Sequence, residues 1–108
     1  MPAPRPLNWN ATLVLQALTQ GHGYGFEIMN ATLLPSGTVY PILRRLEAGE
    51  LVRSTWEDEG DAHAEGRPAR RNYVATASGR AALADARARM VAQQQLFGDL
   101  AAGESGGR

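Results

Sequence analysis

Residues Leu34 to Val52 read "LPSGTVYPILRRLEAGELV". Within this stretch Val39, Ile42, Leu43 and Leu46 recur at i, i+3, i+4 and i+7, the apolar stripe of a helix packed on a core. Pro41 limits where that helix begins. Beyond the first turn a proline costs about 3 kcal/mol through a lost hydrogen bond and a ring clash, so the cap is expected at Gly37 or Thr38, with Ser36 at the limit. The helix is expected to end near Gly49. Stepping about 100° per residue away from the apolar stripe, the opposite face carries Gly37, Pro41, Arg44, Arg45 and Ala48, flanked by Thr38 and Tyr40. That face is slim at its start and cationic further on. A slim first turn can approach another surface closely, its free N–H groups can bind phosphate oxygens, and guanidinium groups can reach phosphates or base edges. In isolation the same face also reads as a solvated surface on which Glu47 and Glu50 balance Arg44 and Arg45.

The neighbouring segments decide between these readings. Upstream, after Asn8 or Asn10 as a cap, Ala11, Val14, Leu15 and Leu18 recur at helical spacing until Gly21 and Gly23 stop the run. Tyr24 to about Ala31 fits a short second helix, ended before Pro35. Downstream, Leu51 to Glu57 and Asn72 to Thr76 alternate with period two and read as a hairpin. Its inner face is expected to bury Trp56 and Tyr73. The connection from Asp58 to Arg71 is polar and long, and a mobile loop is expected there. Thr76 or Ser78 then caps a long last helix, in which Leu83, Ala86, Met90, Gln93, Phe97 and Leu100 keep a seven-residue rhythm. Gly79, in its first turn, suits close packing. Three helices followed by a hairpin whose loop ends in "GRPARR" form a helix-turn-helix with an arginine-tipped wing, and this joint pattern favours DNA.

These residues resemble the PadR family of transcriptional regulators. The likeness is carried by "YGFEI" (Tyr24 to Ile28), the Leu34 to Val52 stretch, Trp56, "GRPARRNYVAT" (Gly66 to Thr76) and "SGR" (Ser78 to Arg80), and it covers about residues 8 to 97. It implies a winged helix-turn-helix repressor that dimerises through its C-terminal helix, binds a palindromic operator and is often released by a small molecule. By this resemblance Ser36, Thr38, Tyr40 and Arg44 match recognition-helix positions, and Arg67, Arg70 and Arg71 match the basic side of the wing. The single C-terminal helix places the chain with the shorter members.

The expected fold class is therefore mainly α with a two-stranded β-wing, a winged helix-turn-helix followed by a dimerisation helix. Residues 1–7 are expected to be a flexible arm, 8–76 the DNA-binding domain, 77–100 the dimerisation helix and 101–108 a disordered tail. The expected DNA-facing set is Ser36, Gly37, Thr38, Tyr40, Pro41, Arg44, Arg45, Arg67, Arg70 and Arg71. The expected dimer interface is Leu83, Ala86, Met90, Gln93, Phe97 and Leu100. Trp9, Leu13 and Met90 are candidates to line an effector pocket where the first helix of one protomer meets the last helix of the other, a combination suited to planar aromatic molecules; the competing reading is that Trp9 and Met90 simply fill that interface.

Composition narrows the remaining classes. With 108 residues, no cysteine, and 11 basic against 11 acidic side chains, a single domain without disulfides is expected. Zero net charge argues against a protein that coats nucleic acid indiscriminately. The charges are unevenly spread: five acids lie between Glu57 and Glu65, and Arg67, Arg70, Arg71 and Arg80 follow with no acid among them. No charged-then-apolar leader and no apolar run of about 20 residues is present, so a cytoplasmic protein with no membrane partner is expected. His63, in the acidic loop, has no thiolates or fixed geometry around it for a metal, and no cofactor is expected. No nucleophile and base are suitably placed, so an enzyme is not expected. The competing reading is a winged-helix module that binds protein and not DNA.

Overall fold

The computed structural model describes residues 6–106. Helix α1 (Trp9–Thr19) starts at Asn8, whose side chain accepts from the backbone N–H of Ala11 at 2.8 Å. This is the usual way a short polar side chain satisfies a free donor at a helix start. Helix α2 (Gly25–Thr32) is capped differently. The Glu27 carboxylate reaches back to accept from the N–H groups of both Gly23 and Tyr24, each at 3.1 Å.

Helix α3 (Ser36–Ala48) begins earlier than its proline suggested, because Pro35 serves as N-cap and its carbonyl accepts from Thr38 and Val39 at 2.9 and 3.0 Å. Pro41 consequently lies inside the helix, not in its first turn. The carbonyl that its missing N–H would have bonded belongs to Gly37, an exposed residue with nothing near the position of a β-carbon, so the cost falls where solvent can reach.

Strands β1 (Val52–Trp56) and β2 (Arg71–Ala75) pair antiparallel, with Val52 opposite Ala75, Ser54 opposite Tyr73 and Trp56 opposite Arg71. These six side chains share one face. Val52, Tyr73 and Ala75 are buried on it, whereas Trp56, expected in the core, is 67% exposed. The face runs off the edge of the core before it reaches the end of β1. The connection also departs from expectation. It contains a short helix α4 (Glu59–Ala64), capped by the Asp58 carboxylate and anchored by buried Ala62.

Helix α5 (Ala77–Gly106) extends through the segment expected as a tail from residue 101. Residues 1–5 of the expected arm and residues 107–108 of that tail lie outside the described residues. Thr76 caps α5, its hydroxyl accepting from the N–H of Gly79 at 3.0 Å. A β-carbon on Gly79 would stand 2.0 Å from the carbonyl oxygen of Leu51, so this crossing requires glycine. The core gathers Val14 and Leu15 of α1, Ile28 of α2, Val39 and Leu43 of α3, Val52 of β1 and Leu83 of α5. Among the described residues no helix is long and apolar enough to cross a membrane.

Candidate nucleic-acid interface

The face of α3 turned away from the core is open. Ser36, Gly37, Tyr40, Arg44 and Arg45 are exposed, and Thr38 and Pro41 are half-buried. Glu47 and Glu50 do not neutralise the two arginines, since neither Arg44 nor Arg45 has an ion-pair partner among the described residues. A bare, glycine-containing first turn followed by two unpaired guanidinium groups is an arrangement that can receive phosphate oxygens and read base edges.

The wing lies beside this helix and is tied to the turn before α2. The N–H of Tyr73 donates to the carbonyl of Gly23 at 2.8 Å, and Tyr24 bridges to Asn72, so the turn before α2 continues the sheet. A β-carbon on Gly23 would stand 2.1 Å from the Asn72 amide oxygen and 3.1 Å from the Tyr73 carbonyl, so the close approach here would require the Asn72 side chain to move for any larger residue.

The three wing arginines have different fates. Arg67 grips Glu57 with both guanidinium arms and also bonds Glu65 at 2.6 Å. The Glu57 side chain is only 14% exposed. Hydrogen bonding from Arg67, opposed by burial and reinforced by the backbone of Arg70, brings its carboxyl pKa down to about 2. The guanidinium of Arg67 is held even more firmly in its charged form, mainly by Glu57. The guanidinium carbon of Arg70 lies over the Tyr24 ring, 4.0 Å from its centroid, and 5.3 Å from that of Phe26, which is stacked beside Tyr24, and its terminal nitrogen is 3.4 Å from Glu57. Arg71 is the exposed one. Its Nε donates to the Ser54 hydroxyl at 2.9 Å, and its terminal nitrogen is 3.3 Å from Glu47 of α3.

The sequence grouped all three as one basic edge, and the structure separates them because the acids preceding them fold back onto two. The part of Glu47 was missed. Its spacing of seven from Tyr40, on one helical stripe, together with the hairpin register that sets Ser54 opposite Tyr73, was the available signal.

The expected dimer residues are also divided. Leu83 is 4% exposed and Ala86 is fully buried, both inside the protomer. They belong to its own core, because the first turns of α5 pack on α1, and they are not free for a partner. Met90 is half-buried, whereas Gln93, Phe97 and Leu100 are exposed, with Val91 and Leu96 adding to the outer face. A groove of about 970 Å³ lies between the start of α1 and the middle of α5, lined among others by Leu7, Trp9, Ala86, Met90 and Gln93. Trp9 and Met90 thus share one concavity within a single protomer. Leu13 does not line it.

Helix-turn-helix, wing and long C-terminal helix together define a winged-helix protein of the transcriptional-regulator class. The model of the PadR-like family of transcriptional regulators matches residues 14–85, and the chain belongs to this family. Solved structures agree with the fold. A PadR family transcription regulator from hypervirulent Clostridium difficile is 21% identical, with a TM-score of 0.76 over 86% of this chain and 98% of that one. A PadR family transcriptional regulator from Eggerthella lenta is 27% identical, with a TM-score of 0.67 over 82% and 80% of the two chains. BpsR from Bordetella bronchiseptica, whose DNA binding is regulated by 6-hydroxynicotinic acid, is 23% identical, with a TM-score of 0.65 over 85% and 67%. No curated protein sequence matches the chain significantly. The family and the structural neighbours are transcription regulators, not enzymes.

Proposed function

We propose that this regulator is a sequence-specific DNA-binding repressor that acts as a homodimer on a palindromic operator and is released by a planar aromatic effector. The observation that carries the reading is the open face of α3, where exposed Ser36 and Gly37 lead to Arg44 and Arg45, two arginines without an acidic partner among the described residues. In this reading Ser36, Gly37, Thr38, Tyr40 and Pro41 meet the duplex first, Arg44 reaches a base edge, and Arg45 and Arg71 meet phosphates. Arg67 and Arg70 shape the wing and contribute little to phosphate binding, because their charges already face Glu57 and Glu65.

The dimer uses the outer face of α5, where Met90, Gln93, Phe97 and Leu100 keep the heptad rhythm and a monomer would leave the apolar ones in water. The effector occupies the groove between Trp9 and Met90, an aromatic wall facing a pliable thioether. The regulation of BpsR by an aromatic acid is a precedent within the same fold.

The decisive experiment is salt-dependent binding to duplex DNA together with genomic footprinting. With two phosphate-facing arginines per protomer, a dimer makes about four contacts, and its affinity should fall about 10²-fold between 50 and 200 mM salt. Footprints should show two-fold symmetric sites. A second reading, a winged-helix module that binds protein and not DNA, is favoured by one observation: carboxylates already engage Arg67 and Arg70 of the wing. It predicts a far weaker response to salt and no footprint.

A further inference from the structure

The contact between Glu47 and Arg71 joins the recognition helix to the wing, and it is built differently from the contact between Glu57 and Arg67. Glu57 is a nearly buried carboxylate gripped by both arms of its arginine. Glu47 and Arg71, by contrast, have side chains 33% and 42% exposed, and their nitrogen–oxygen distances are 3.3 and 3.4 Å. The short link runs through Ser54, whose hydroxyl donates to Glu47 at 2.5 Å and accepts from the Nε of Arg71 at 2.9 Å. The guanidinium also lies 5.7 Å from the rings of both Trp56 and Tyr73. Burial raises the pKa of the Tyr73 phenol, and the charges of Arg71 and Glu47 act on it in opposite directions; Ser54, bonded to Glu47 of α3 and to Arg71 of β2, marks where helix and wing converge.

We propose that Glu47 is a positioning residue that sets DNA affinity by holding Arg71 back from the phosphate backbone. This rests on the DNA-binding reading above. A long, solvent-exposed ion pair is weak and easily exchanged. A phosphate arriving between helix and wing competes with the Glu47 carboxylate for the same guanidinium, in geometry that suits either anion. Once Arg71 turns to the phosphate, Glu47 is left facing the polyanion. Part of the attraction is thereby cancelled, and the complex stays reversible. Ser54 keeps the exchange local, since its hydroxyl can hold either partner after the other leaves. Of the three wing arginines only Arg71 can act in this way: Arg67 is clamped by Glu57 and Glu65, and Arg70 is held over the Tyr24 ring with Glu57 at 3.4 Å.

The test uses a fluorescein-labelled 30-base-pair duplex of mixed sequence, because phosphate neutralisation does not require the operator. By anisotropy at 50 mM salt, Glu47→Gln should bind about five-fold tighter per engaged protomer, with a log–log salt slope steeper by about one. The same substitution in an Arg71→Ala background should give a clearly smaller gain, since only the repulsion between Glu47 and the duplex is then removed. A purely structural role for Glu47 would weaken binding and leave the slope unchanged, and that result overturns the proposal. A gain equally large without Arg71 also overturns it, since it would reflect only the removal of a negative charge. If the wild-type protein binds no duplex and Arg44→Ala behaves identically, the DNA-binding reading itself fails and takes the proposal with it.

Discussion

The phenolic oxygen of Tyr40 lies 2.2 Å from the point where a β-carbon on Gly25 would stand. Helix α2 therefore approaches the recognition helix as closely as it does only because its first residue has no side chain. Gly25→Ala should force the Tyr40 ring aside at an overpacking cost of about 1 to 3 kcal/mol, of which alanine's better helix propensity returns about 1 at most. Urea unfolding should show the loss, and a Gly25→Ala, Tyr40→Ala double variant should recover much of it. Gly79→Ala should be worse, since the atom it would meet at 2.0 Å is a backbone oxygen that no rotamer change can move.

Arginines on the recognition helix and in the wing should respond differently to truncation. Arg44→Ala should lower operator affinity by about 1 to 3 kcal/mol and relax sequence preference near the middle of each half-site. Arg67→Ala should leave the salt slope almost unchanged, because its guanidinium already faces Glu57 and Glu65. Its effect should be looser wing structure, visible as faster amide exchange in residues 57–70.

Acid should loosen the same wing. The Glu57 carboxyl, lowered from 4.5 to about 2 chiefly by Arg67, binds its proton more readily in the unfolded chain than in the folded one. Its contribution to stability is therefore fully present above about pH 4.5 and disappears as the pH falls toward 2. The difference in unfolding midpoint between the wild type and Glu57→Gln should shrink over that interval and remain constant from pH 5 to 7.

Two apolar-to-arginine substitutions in α5 should part company. Phe97 is 75% exposed, so Phe97→Arg should leave the fold intact and yield monomers in light scattering. Leu83 is in the core, so Leu83→Arg should unfold the protomer, by roughly 3 kcal/mol or more, and not merely separate two copies. A dimer of unchanged mass with Phe97→Arg would remove α5 from the interface.

Effector binding can be followed at Trp9. Only two tryptophans are present, so Trp56→Phe leaves Trp9 as the sole indole in the groove. Planar aromatic compounds should quench it saturably and weaken DNA binding over the same concentration range, because an effector shifts affinity only through unequal binding to two states. Quenching without any change in DNA affinity would make the groove a packing feature.

The helical framework was legible because it is written in short-range patterns. The stripe Val39, Ile42, Leu43, Leu46 and the cap at Asn8 needed no distant partner to be read. What escaped depended on tertiary placement. Trp56 keeps the alternation of a buried strand residue, yet the core ends before it. Pro41 is tolerated inside α3 because the carbonyl it leaves free is on an exposed turn. Leu83 and Phe97 look alike in a heptad, but only one lies under α1. Arg67, Arg70 and Arg71 are near neighbours in the chain, and the carboxylates that distinguish them come from Glu57, ten or more residues earlier, and from Glu47, on another element. Helix α4 is too short for any periodicity to announce it.

The length of α5 has a consequence for how the chain folds. Thirty residues at 1.5 Å each make a rod of about 45 Å, and from Val91 to Gly103 every residue is exposed. A free helical segment of that size sits near the margin of the helix–coil equilibrium in water. If a second copy covers it, winding of that half becomes a second-order event. Far-ultraviolet ellipticity per residue should fall on dilution, and amide protons from 91 onward should begin to exchange at protein concentrations where those of 77–90, seated on α1, remain protected.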